Sequence, residues 1–284
     1  MSAPAMGTVA AGVAALPTRE QVLPQAGREN FTVASGILGR RRARHLMAIY
    51  GFARLVDDVG DEAAGDRGAL LDLVALELQR VFAEPGQEPA QHPLMQELAE
   101  TVRECRLPIG PFQRLIEANR MDQVLTRYES FPQLLEYCQL SAAPVGELVL
   151  GVFGAATAQR VALSDRVCAG LQVVEHLQDI AEDHERGRIY MPREDLQRFS
   201  CTEEDLADAA RPSANLRALI SLQAARARAL LASGGPLAGT LALTPRIAVA
   251  GFTAGGLRAL DRLERGSATR PAYIWQMLRT ATGR

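Results

Sequence analysis

Two stretches of this chain place carboxylates at helical spacing among apolar residues, and that combination restricts the fold more than any other feature. The first runs Tyr50-Gly51-Phe52-Ala53-Arg54-Leu55-Val56-Asp57-Asp58-Val59-Gly60-Asp61-Glu62. On a helix, Tyr50, Arg54, Asp57 or Asp58, and Asp61 recur every three or four residues, so Asp57 and Asp61 present their carboxylates together. An isolated pair at this spacing is ordinarily a solvated surface. Here Leu46, Met47, Ile49, Phe52, Leu55 and Val56 flank the acids and predict a buried helix. The second stretch, Gly170 to Asp183, sets Gln172, Glu175, Asp179 and Asp183 on one face among Val173, Val174, Leu177 and Ile180. A buried carboxylate without a counter-charge costs several kcal/mol. Two such helices in one chain therefore predict acids that converge on divalent cations. Oxygen ligands with room for water select Mg²⁺, which bridges carboxylates to a phosphate, and the pair reads as a clamp for a Mg²⁺-diphosphate.

The rest of the chain predicts an all-α fold. Few runs alternate with period two, and Val and Ile are scattered among the helix formers Ala, Leu, Arg and Glu. Breaks fall at Gly36 to Gly39, Glu84 to Gly86, Pro108 to Pro111, Ser130 to Pro132, Arg186 to Arg188, Pro192, Arg211 to Ser213 and Ser233 to Pro236. No repeat and no inter-domain linker appears across the 284 residues, so one bundle is expected from about residue 28 to about residue 275. Thr202 to Asp205 reads as a capping box that starts a helix. Residues 1–27, rich in Ala, Gly and Pro without the order of a signal peptide, read as a flexible tail before a catalytic domain over 28–284. The apolar stretch Leu230 to Gly256 is broken by glycines, Pro236, Pro245 and Arg246 and cannot span a membrane as one helix.

Composition removes several function classes. A net charge of -2 gives no field for gripping nucleic acid. All 31 basic residues are arginine, so no lysine is present for Schiff-base or phosphate-loop chemistry. The four cysteines, Cys105, Cys138, Cys168 and Cys201, are far apart and lack a C-x-x-C pair, which predicts free thiols in a reducing cytoplasm. A di-iron bundle needs Glu three residues before a metal-binding His, and none of His45, His92, His176 or His184 has one.

Arg54, on the acidic face, is the first candidate for the diphosphate itself, with Arg186 and Arg188 behind it, because a guanidinium fork matches phosphate oxygens. Arg40 to Arg44 reads as a solvated helix end. The apolar, small-residue segment Tyr137 to Gly154 has a plain reading as close helix packing. A second reading gives it a cavity wall that leaves room for a long hydrocarbon.

Taken in order, these pieces resemble the squalene and phytoene synthase family over about residues 28 to 260. The resemblance is carried by Glu29-Asn30-Phe31-Thr32-Val33-Ala34-Ser35, by Ile49 to Arg54 with Asp57 to Glu62, and by Asp122 with Arg127-Tyr128. It continues through Tyr137-Cys138 with Ser141 to Gly146, and through Gln172 to Asp183 followed by Arg186-Gly187-Arg188-Ile189-Tyr190-Met191-Pro192. The family implies a single-domain class I isoprenoid synthase bundle around a central apolar cavity, with Mg²⁺ and diphosphate held at its mouth. It implies Asp57, Asp58, Asp61, Asp179 and Asp183 at the metals, Arg54 at the diphosphate, and Tyr50, Tyr137 and Gln172 at the reacting end; Glu175, one turn before Asp179 on the same face, joins them as a catalytic candidate on its own chemistry, either holding the capturing water or adding charge at the metals. It also implies Asn30, Phe31, Arg54, Ser141, Val145, Gly146, Arg188 and Tyr190 against a prenyl diphosphate substrate.

The Asn30-Phe31 opening and the Ser141 to Gly146 segment resemble the hopanoid branch, which converts presqualene diphosphate to hydroxysqualene, more than the branches that condense two farnesyl diphosphates. Three positions depart from the family pattern: Glu175 stands where Asn is usual, Val174 where a small polar residue is usual, and Gln178 where condensing members carry Arg. For such a cytoplasmic synthase two arrangements stay open: working alone, or peripheral contact with a membrane and hand-over of an apolar product to partner enzymes of squalene synthesis.

Overall fold

Small polar residues and prolines set where the helices begin. Asp66, Ser130, Thr157 and Ser213 each accept a hydrogen bond from the backbone N–H three residues on, at 3.0–3.4 Å, satisfying a donor that the first turn would otherwise leave open. Proline occupies the first turn at Pro93, Pro111, Pro132, Pro144 and Pro236, where its missing N–H costs nothing.

A computed structural model describes residues 12–23, 39–84 and 86–264. Its helices are α1 (Arg19–Val22), α2 (Arg40–Asp61), α3 (Arg67–Val81), α4 (Pro93–Cys105), α5 (Gly110–Asp122), α6 (Phe131–Ser141), α7 (Ala143–Val152) and α8 (Ala158–Gln178). They continue as α9 (Ile180–Glu185), α10 (Arg193–Arg198), a 3₁₀ turn at Glu204–Asp208, α11 (Ala214–Gly234), α12 (Pro236–Thr240) and α13 (Leu243–Glu264). Among the described residues the sole extended pairing is an isolated bridge between Arg127 and Ile189. The all-α expectation holds.

The two acid-bearing helices are buried. From Leu46 to Gly60 every residue of α2 except Met47 is buried, and so is every residue of α8 from Val167 to Leu177. Helices apolar on all sides belong in the interior, which brings their acids inside with them. α8 pairs most extensively with α11, and Gly234 sets that approach: a Cβ there would lie 2.7 Å from the carbonyl oxygen of Leu163. α7 meets α8 equally closely at Gly146.

Three features differ from the sequence reading. Residues 12–23, inside the stretch expected to be a flexible tail, pack on the bundle: Leu16 and Val22 are buried, Pro17 bonds through its carbonyl to His92 Nε2 at 3.0 Å, and Arg19 pairs with Glu97. Apolar side chains at 16 and 22 outweigh the loose composition around them. At the Thr202 box, the backbone N–H of Thr202 donates to Asp205 Oδ2 at 2.7 Å, but the turn that follows is 3₁₀. The second acidic helix is interrupted at Asp179 (φ −110°, ψ 16°). Asp179 N still donates to Glu175 O and Asp183 N to Asp179 O, so the acids remain one turn apart. None of the four cysteines forms a disulfide among the described residues, and no described helix is long and apolar enough to cross a membrane.

Candidate active site

The C-terminal half of α2 supplies one wall of a cleft of about 370 Å³, lined by Arg54, Asp57, Asp58, Asp61, Glu62, Arg67, Arg186 and Arg188. Four guanidinium groups thus face four carboxylates. Arg54, buried, holds Asp58 at 2.6 Å and reaches Glu62 at 3.3 Å, while Arg188 Nη2 donates to Asp61 Oδ1. Arg186 pairs with Glu182 at 3.1 Å. The ion pair from Arg188 ties the segment after α9 to the end of α2, joining the neighbourhoods of the two acidic motifs.

Burial sets the electrostatics. It pushes the Asp58 carboxyl up to about 6 against the pull of Arg54. At Asp57 burial comes first and the Asp61 charge next, and they hold its carboxyl well above the usual carboxylate range despite a hydrogen bond from Asn119 and the Arg54 charge. Asn119 Nδ2, from α5, lies 3.2 Å from Asp57 Oδ1. Asp57 Oδ2 is buried with no hydrogen-bond partner among the described residues. Gly60 makes room for this arrangement, since a Cβ there would fall 2.2 Å from Asn119 Oδ1.

From α8 and α9, Gln172, Glu175, Asp179 and Asp183 are all buried. The amide of Gln172 has neither its Nε2 nor its Oε1 hydrogen-bonded among the described residues, an expensive state for a fully buried group. Tyr137, completely buried, donates its hydroxyl to Asp122 Oδ2 at 2.8 Å. Its ring meets Tyr128 and Tyr190 at centroid distances of 5.6 and 5.8 Å, and His176 stacks on Tyr190 at 3.8 Å. Tyr50 is buried on α2 one turn before Arg54.

Other candidates have local explanations. Ser141 donates its hydroxyl back to the Tyr137 carbonyl at 3.1 Å. Gly146 is explained by helix approach, because a Cβ would come within 2.3 Å of Ser164 Oγ and 2.6 Å of Cys168 Sγ. Val145 and Gly146 border a small apolar pocket of about 50 Å³ with Leu171, Leu237, Val249 and Phe252. Asn30 and Phe31 lie outside the described residues. Among the described residues no three carboxylate, thiol or imidazole groups stand together as a preformed metal cage. Arg54 and Arg188 draw Asp58, Asp61 and Glu62 into ion pairs.

The sequence reading missed Arg67, Asn119 and His176. Gly60 was the available signal: a glycine inside a buried helix marks where something approaches closely.

The chain matches the Squalene/phytoene synthase family over residues 25–279. It is 36% identical to a hydroxysqualene synthase of Rhodopseudomonas palustris over 211 residues, covering 74% of this chain and 70% of that protein. It is 38% identical to a hydroxysqualene synthase of Sinorhizobium fredii over 212 residues, again covering 74% and 70% of the two chains. The crystal structure of a squalene synthase from Alicyclobacillus acidocaldarius superposes with a TM-score of 0.79 at 38% identity, covering 90% of this chain and 98% of that one. With a family match over residues 25–279, a helical bundle that matches over 90% of its length and a cleft of paired acids and arginines at its first acidic motif, this chain belongs to the squalene/phytoene synthase family.

Proposed function

We propose that the protein ionises presqualene diphosphate and captures the resulting cation with water, giving hydroxysqualene and diphosphate. The observation that carries the reading is the cleft itself: four arginines and four carboxylates around one space suit an anion that arrives with divalent cations. Its branch assignment is supported by 36% and 38% identity to hydroxysqualene synthases.

Asp57 fits a metal on chemical grounds, with a buried carboxylate oxygen that no described group occupies. Mg²⁺ usually takes one or two carboxylates and completes its shell with water and substrate phosphate, so such a site needs no closed protein cage. Asp57, Asp58 and Asp61 from α2, with Asp179 at the break after α8 and Asp183 on α9, are the residues that would hold it. When bound, the metal supplies positive charge against the departing diphosphate.

The chain's own groups do the rest. Arg54, Arg186 and Arg188 hold diphosphate oxygens by forked hydrogen bonds and offset the charge that builds as the C–O bond breaks with its electron pair. Tyr50 and Tyr137 present aromatic faces that steady a nearby cation by ~0.5–2 kcal/mol each, far less than the charge terms supply. Gln172, buried with an unsatisfied amide, offers a donor and an acceptor to the substrate. After the cyclopropane opens, Glu175 holds the capturing water, whose oxygen forms the new C–O bond and whose proton is released.

Incubating the purified protein with presqualene diphosphate and Mg²⁺ in ¹⁸O-labelled water, without a hydride donor, should yield labelled hydroxysqualene. An unlabelled alcohol, or presqualene diphosphate made from farnesyl diphosphate at a comparable rate, would move the assignment to a condensing synthase.

A further inference from the structure

Asn119 sits on α5, far in sequence from either acidic motif, yet its side chain is the described hydrogen-bond partner of Asp57. We propose that Asn119 is a positioning residue for the first acidic motif: it clamps one oxygen of Asp57 so that the other is presented to a divalent cation. The proposal rests on the reading of the cleft as a Mg²⁺-diphosphate site.

Three observations converge on it. Asn119 is only 2% exposed, and its Nδ2 is shared between Asp57 Oδ1 at 3.2 Å and the carbonyl of Leu115 at 3.3 Å, so the amide is fixed from its own helix as it reaches across. The neighbouring turn is latched as well: Gln123 Nε2 donates to the carbonyl of Gly60 at 3.0 Å and to that of Asn119 at 3.0 Å. Finally, Gly60 is placed where any side chain would collide with Asn119 Oδ1 at 2.2 Å. A glycine inside a helix normally costs about 0.5–1 kcal/mol relative to alanine. At Gly60 that cost secures the approach of Asn119 to the acid one turn earlier.

The chemistry requires an amide. A carboxylate that must keep one oxygen for a metal is best fixed through its second oxygen by a neutral N–H donor, since an arginine would compete for the charge that the metal needs. Arg54 and Arg188 take that competing role at Asp58 and Asp61, whereas the partner of Asp57 is uncharged. Asp57 Oδ2, buried and without a described partner, is the oxygen left for the ion.

The test compares Asn119→Ala, Asn119→Asp, Asn119→Ser, Gly60→Ala and the Asn119→Ala/Gly60→Ala double variant with the wild type. For each, the Mg²⁺ concentration giving half the thermal stabilisation in the presence of inorganic diphosphate is measured, beside KM for the prenyl diphosphate and far-ultraviolet circular dichroism. Asn119→Ala should raise the half-saturating Mg²⁺ about 10-fold or more, in the range seen when the hydrogen-bond partner of a metal ligand is removed. Asn119→Asp should be worse than Ala despite its matching shape, because it sets a second carboxylate against Asp57. Asn119→Ser, which keeps a donor, should recover part of the loss.

Gly60→Ala should reproduce the effect of Asn119→Ala although helix propensity alone predicts stabilisation, and the double variant should be no worse than the poorer single. A wild type that answers to Mg²⁺ with diphosphate while folded Ala and Asp variants answer at the same concentration overturns the proposal alone. So does an Asp variant that outperforms Ala, the order expected of a residue that merely fills space. Should none of the three Asn119 variants fold, Gly60→Ala decides: an unchanged Mg²⁺ response overturns the proposal and a weakened one supports it. A wild type with no response to Mg²⁺ and diphosphate overturns the cleft reading, and this proposal with it.

Discussion

The three aspartates of the first motif have different partners, and the difference assigns different work to residues of the same type. Asp58 and Asp61 lie against arginines, and Asp57 against a neutral amide. Asp57→Ala and Asp179→Ala should each lower turnover on the order of 10³-fold while leaving helical circular dichroism near normal, since each removes a candidate metal ligand and little packing. Wild-type rates in either purified variant would sink the clamp. The acids themselves were legible because spacing and apolar flanks are local properties of the sequence. Asn119 was not, because nothing near residue 119 says that it will meet residue 57; only the glycine at 60 hinted at an approach from outside. The same holds for Tyr137 and Asp122, whose pairing depends on how α5 and α6 dock.

Between elements, small residues decide how near the helices come, and a half-buried charge where three of them meet shows what close docking costs. Asp165, near the start of α8, lies among Arg114 of α5 and Glu147 of α7, which pair with each other. Burial pushes its carboxyl up to about 6, with Glu147 adding to the rise and Arg114 opposing it. A carboxyl raised on folding contributes its stability below its unfolded value near 3.8 and loses it as the pH climbs through about 6. Asp165→Asn should therefore be more thermostable than wild type at pH 7–8, with the gap closing toward pH 4. Melting both proteins across that range checks it, and a gap independent of pH would show that Asp165 does not titrate as described. The run of small residues in α7 was correctly legible as tight packing at Gly146. The break at Asp179 was not, because the spacing of Glu175, Asp179 and Asp183 is the same on a continuous helix as on one interrupted while keeping its hydrogen-bond register.

For the whole molecule, folding and ligand binding are coupled through the same buried charges. α2 and α8 bury their acids because their apolar residues must be buried, and the net charge of -2 conceals a local concentration of carboxylate around Asp57, Asp58 and Asp61. Arginines offset part of it, but burial still disfavours the charged forms of Asp57 and Asp58. A ligand that brings divalent cations to this cleft relieves that cost only in the folded state, so it must shift the folding equilibrium. At about 100 times the dissociation constant the shift is ~2.7 kcal/mol, or several degrees in Tm for a domain of this size. Diphosphate alone should do little, because it meets carboxylates as well as arginines. Mg²⁺ alone should do less than the two together, because a cation with few protein ligands depends on phosphate oxygens to complete its shell. The expected signature in thermal melts is therefore a gain with both that exceeds the sum of the separate gains. Additive or absent shifts at saturating concentrations would mean that the cleft binds its charges independently, and the coupling of metal, diphosphate and fold would fail with it.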